Sequence, residues 1–102
     1  MRRVILGMNS VEIKILKILK RHSTTAQKIS SALGKNISTV NRYLNDLISK
    51  GFVYKVSKCC TPQRGRYFVY HLNDKKTILD NLDRRIDNFR NDAHEFVEKL
   101  FE

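Results

Sequence analysis

Leu33-Gly34-Lys35-Asn36-Ile37-Ser38-Thr39-Val40-Asn41-Arg42-Tyr43-Leu44, with Leu47 and then Lys50-Gly51-Phe52-Val53 behind it, decides the architecture of this 102-residue chain. Gly34 is the residue type that closes a helix in a left-handed conformation, because it has no Cβ to clash. Two positions on, Asn36 has the short polar side chain that accepts from the free amides of a new helix. Beyond it, Val40, Leu44, Leu47 and Ile48 recur at the spacing of one helical face, and Gly51 stops the run. The pattern predicts a helix ending at residue 33, a very short turn, and a second helix over residues 37–50. Helices joined so tightly cross steeply, as in a helix-turn-helix unit.

Working outward, residues 10–22 form another amphipathic helix. Asn9 and Glu12 are spaced as a capping box, and Val11, Ile15, Ile18 and Leu19 make its apolar stripe. Thr24 followed by Gln27 predicts the cap of the short helix at 25–33, with Ile29, Ala32 and Leu33 on its buried side. On the other flank, residues 52–58 and 67–72 are rich in β-branched and aromatic residues and read as two strands. Between them, residues 59–66 hold the chain's one proline and read as a basic turn, so the strands form a hairpin. Helix, helix, turn, helix, hairpin is the order of a winged helix-turn-helix. The expected fold is mainly α with a small β-hairpin.

Residues 73–102 read as one long helix, capped by Asn73 or Asp74. Leu79, Leu82, Ile86, Phe89, Ala93, Phe96 and Leu100 alternate in steps of three and four, a heptad seam sustained over three repeats. A helix of ~28 residues spans roughly 42 Å, too long to cover one small domain, so the seam predicts a coiled-coil homodimer. An antiparallel pair centred between Asp87 and Asn88 sets Leu82 against Ala93 and Leu79 against Phe96, so large meets small. It also brings Asp83 towards Arg90 and Arg85 towards Asp92. The expected division is a winged-helix domain over residues 1–73 and a dimerisation helix over 74–102.

Charge separates the same two parts. Residues 1–73 hold fourteen Lys and Arg against only Glu12 and Asp46, a net +12, while residues 74–102 carry a net −2. A front part this basic attracts a polyanion, and the tail does not. Hydrophobic residues at 41% and charged residues at 29% argue against disorder. The apolar run at residues 4–6 is too short for a membrane span, and a cytoplasmic, nucleoid-associated location is expected. Cys59 and Cys60 are no disulfide framework. Three readings of the pair stand: inert reduced thiols, a redox sensor activated by Lys58 and Arg64, or a metal site, which adjacent cysteines rarely form. No Gly-rich phosphate loop, HExxH or Ser/His/Asp context occurs, so neither catalysis nor a cofactor is expected.

The residues from Leu33 to Leu44, with the Lys50-Gly51-Phe52-Val53 exit, resemble bacterial and archaeal winged-helix transcriptional regulators of the MarR, ArsR and TrmB groups. The resemblance takes in about residues 10–72 and departs at Lys35, where such proteins often carry an apolar residue. It implies a regulator of transcription, most simply a repressor, binding double-stranded DNA. The residue chemistry supports this independently. Ser38, Arg42 and Asn45 lie opposite Val40, Leu44 and Leu47 on the third helix, with Thr39 beside them. Arg grips guanine O6 and N7, Asn grips adenine N6 and N7, and hydroxyls at a helix N-terminus suit phosphate or base edges. Arg64 and Arg66 flank Gly65 at the wing, where Arg suits backbone or minor groove. Lys14, Lys17, Lys28, Lys35, Lys55 and Lys58 are candidates for phosphate contacts. The main alternative is an architectural chromatin protein with little base preference, and a third is a winged helix used for protein contact.

Overall fold

The computed structural model describes residues 8–61 and 65–102. Three helices, α1 (Ser10–Arg21), α2 (Ala26–Leu33) and α3 (Ile37–Ser49), are followed by strands β1 (Val53–Thr61) and β2 (Gly65–Leu72). A long helix, α4 (Lys75–Leu100), completes the order. The fold is thus a winged helix-turn-helix head with a long C-terminal helix, elongated to 61 × 26 × 24 Å.

Capping sets the helix boundaries. Asn9 accepts from the Glu12 amide at 2.9 Å and the Glu12 carboxylate accepts from the Asn9 amide at 3.3 Å, so the capping box is closed. Gly34 sits at φ +64°, the left-handed turn that ends α2, and Lys35 leaves the turn regular. The cap of α2 falls one residue later than its spacing suggested. Thr25, not Thr24, accepts from the Lys28 amide, at 3.3 Å. Thr24 is instead buried, its amide and carbonyl both bonded to the backbone of Tyr70 at 3.3 and 2.8 Å.

The core is Ile15 and Leu19 from α1, Ile29 from α2, Val40, Leu44 and Leu47 from α3, and Met8, Phe52, Val53 and Tyr70 around them. Five of these are fully excluded from water: Ile15, Ile29, Val40, Leu44 and Leu47. Leu33 is half-buried and packs on this cluster, but Ala32 is exposed, against its expected place on the buried side. It opens onto a shallow groove of about 330 Å³ between α1 and α2, with Ile18, Leu33, Lys14, Lys17 and Arg21 as its walls. Eight residues are too short for the whole apolar arc of α2 to meet the core.

β1 and β2 pair antiparallel from Val53 opposite Leu72 to Cys59 opposite Arg66, with a bulge before Thr61 meets Gly65. The strands therefore run further than expected. Cys59 and Arg66, placed in the turn by their sequence context, are paired within the ribbon near its far end. α4 begins one residue after Asp74, whose side chain makes no capping bond. No residue of α4 is buried, and only Ile78 packs against the core from that helix.

Candidate nucleic-acid interface

The α3 helix is held by its inner face and offers its outer one. Asn36 Oδ1 accepts from the Ser38 amide at 2.9 Å and from the Ser38 hydroxyl at 2.7 Å, which seats the first turn. With Val40, Leu44 and Leu47 fully buried, helical geometry turns Ser38, Arg42 and Asn45 outward, and all three are exposed. Thr39 is half-buried at the edge of that face. The Arg42 guanidinium stands over the Tyr43 ring, 5.3 Å from its centroid, a contact that steadies a long side chain without using its donors. Lys35 is exposed beside the helix start, and its backbone is tied to Ser30 by two bonds of 2.9 and 3.1 Å.

Two outward residues of α3 escaped the sequence reading. Asp46 is exposed one turn beyond Arg42 and on the same side, so the outer face carries an acceptor as well as a cation. Ile37 is 45% exposed at the leading end, although its type suggests burial. The residue spacing that placed Arg42 and Asn45 outward places Asp46 there too.

The wing presents cations and aromatic rings together. Alternation puts Tyr54, Val56 and Lys58 on one face of β1, opposite His71, Val69 and Tyr67. Tyr54 stacks on His71 with ring centroids 5.0 Å apart, and His71 Nδ1 shares a hydrogen bond with the Ser23 hydroxyl at 2.6 Å. On the other face Lys55 Nζ lies 4.4 Å from the centre of the Phe68 ring. Tyr54, Tyr67 and Phe68 are each well exposed, an aromatic surface that the sequence reading of the wing passed over. Arg66 is exposed opposite Cys59. Arg64 lies outside the described residues, as does the side chain of Cys60. Cys59 is exposed.

Lys14, Lys17, Lys28, Lys55 and Lys58 all reach the surface of the head. The one acidic group of α1 does not oppose them: Glu12 is buried, and its carboxylate pairs with Lys50 Nζ at 3.3 Å. Burial also pushes the Tyr70 hydroxyl above its ordinary pKa of 10.0, since the ionised form is poorly solvated there. No helix among the described residues is long and apolar enough to cross a membrane.

A three-helix head, a two-stranded wing and an outward third helix define the winged helix-turn-helix class. A family model described as the sugar-specific transcriptional regulator TrmB matches residues 3–76, and the chain belongs to this family. Among solved structures, a possible transcriptional regulator from Methanosarcina mazei Go1 superposes with a TM-score of 0.74 at 14% identity. That match covers 95% of this chain and 82% of the other. A protein from the thermoacidophilic archaeon Sulfolobus tokodaii gives 0.65 at 17% identity, covering 89% of both chains. Bacillus subtilis PadR, solved in complex with operator DNA, gives 0.59 at 21% identity, covering 71% of this chain and 46% of that one. At such identities the likeness is one of fold. Comparison with curated proteins gives no match.

Proposed function

We propose that the protein is a homodimeric regulator that binds double-stranded DNA through residues 1–73 and pairs through residues 74–102. α3 enters the major groove, where Arg42 and Asn45 read base edges and Ser38, Thr39 and Lys35 hold the backbone. The wing lies on backbone or minor groove through Arg64 and Arg66. Occlusion of a promoter, hence repression, is the simplest regulatory outcome for a cytoplasmic protein of this size. The observation that carries the reading is the outward polar face of α3 on a head of net +12.

Two features of α4 support pairing. Its seam is open, with Phe89, Phe96 and Leu100 exposed by 75, 66 and 64%. Arg85 Nη1 is buried and has no hydrogen-bond partner among the described residues, a costly arrangement for a guanidinium. The antiparallel register brings Asp92 of the partner subunit towards the part of the Arg85 side chain that stays accessible. In that register each head sits ~20 Å from the two-fold axis, so the heads stand ~40 Å apart, near the ~34 Å of one DNA turn. Arg90, by contrast, already pairs within its own helix with Asp87 at 2.7 Å.

Selection of bound sequences from a randomised duplex pool tests the whole reading. An enriched inverted repeat is expected, with affinity exceeding that for random DNA by ~10³ or more. Arg42→Ala should cost about 1–3 kcal/mol and relax preference at one base pair in each half-site. A pool without enrichment would instead indicate an architectural DNA-binding protein, and unchanged DNA affinity in Arg42→Ala with Arg66→Ala would point to a protein-contact module.

A further inference from the structure

Where the tail leaves the head, polar contacts converge on one peptide. The Gly51 carbonyl, just past the end of α3, accepts from Asn73 Nδ2 at 2.9 Å and from Asn81 Nδ2 at 3.1 Å. A carbonyl oxygen has two acceptor sites, and both are filled. Asn73, in the link before α4, also donates its amide to the Phe52 carbonyl at 2.9 Å. Asn81, in the second turn of α4, accepts from Arg84 Nη1 at 3.4 Å on its other side-chain atom, which fixes the facing of its amide. Gly51 itself has φ +84°, and a Cβ there would lie 2.6 Å from Asn81 Cγ, so the fit excludes any side chain.

We infer that Gly51, Asn73 and Asn81 form a stiff joint that sets the angle between α3 and α4, making Asn81 a positioning residue for the spacing of two DNA half-sites. The inference rests on the two-headed DNA-binding reading above. Apart from Ile78 and this joint, little of α4 holds it to the head, so the polar contacts carry the angle. The leverage is large. A pivot of ~10° at one end of a ~20 Å arm moves the other end by ~3.5 Å, about one base-pair step. Asn81 touches no DNA in this arrangement, and its effect falls on spacing rather than on base choice.

The test repeats the randomised-duplex selection with wild type and Asn81→Ala, reading the distance between half-sites in the enriched pools. Wild type should enrich one spacing, and one base pair inserted between its selected half-sites should weaken binding about tenfold. Asn81→Ala should keep the same half-site sequence but accept neighbouring spacings, with the insertion costing about twofold. Asn73→Ala, which lies outside α4 and removes one of the two bonds, serves if Asn81→Ala fails to fold, and the same broadening is expected. A dimeric variant that retains the single wild-type spacing overturns the inference while leaving the DNA-binding reading intact. A wild-type pool without paired half-sites overturns both.

Discussion

Head and tail are built on opposite terms. Every buried apolar residue among those described, from Met8 to Tyr70, lies in the head, while α4 buries none of its 26 residues yet carries a regular apolar seam. The head's pattern is answered within the chain for the most part: Ile15 and Leu19 of α1, Ile29 of α2 and Val40, Leu44 and Leu47 of α3 meet in one core. The tail's pattern is not answered there. A helix with so little tertiary packing is marginal in water, and its seam is the part of the molecule left to find a partner under the pairing proposed above.

The sharpest way to separate the two regions is to remove volume from each. Leu44→Ala, at a fully excluded site, should lower head stability by about 2–5 kcal/mol in urea unfolding. A cost below ~1 kcal/mol would mean that the head is loosely packed and the contrast is smaller than drawn. Glu12→Ala comes next. It opens the capping box and removes the buried carboxylate that pairs with Lys50, for a loss of about 2 kcal/mol, again read by urea. Ile86→Asp in the seam should do the reverse of Leu44→Ala. Light scattering should report a smaller particle and circular dichroism a loss of tail helix, with the head's unfolding midpoint moved by about 0.5 kcal/mol or less. A midpoint that falls as far as in Leu44→Ala would erase the distinction.

The smallest effect concerns pH and belongs to the head alone. The folded-state pKa of Tyr70 is raised above 10.0, so the folded chain holds the phenol proton more tightly than the unfolded one. Its contribution is fully present below pH 10 and is lost as pH rises through the folded value. Wild type should therefore lose stability on the alkaline side, and Tyr70→Phe should flatten that slope. Equal slopes in the two proteins would show that Tyr70 is not the group responsible.

What could be read before any coordinates was local or periodic. Asn36 and Gly34 announce their roles by type and by position next to an apolar run, and the inner face of α3 follows from residue spacing. The outward set on α3 follows from the same spacing, Asp46 included. What could not be read depends on residues distant in sequence. Nothing near Thr24 shows that its backbone will pair with Tyr70 while the cap falls to Thr25. Asn73 reads as a candidate helix cap and Asn81 as an ordinary polar position until the Gly51 carbonyl is placed between them. The end of β1 differs for another reason: the nearby proline makes Cys59 and its neighbours resemble a turn, while strand pairing carries the ribbon further.

The paired bonds between Thr24 and Tyr70 have a consequence for the wing as a whole. Side chains alternate along a strand, so a slip of β2 by one residue would expel the Tyr70 ring and draw Val69 or His71 into its place. Such a slip would also turn over the side chains of β2, sending Phe68 to the side of the ribbon where Tyr54 and Lys58 now stand. A threonine between the first two helices thus acts as the register pin for a hairpin that begins long after it, and decides which side of that hairpin meets whatever the head rests upon.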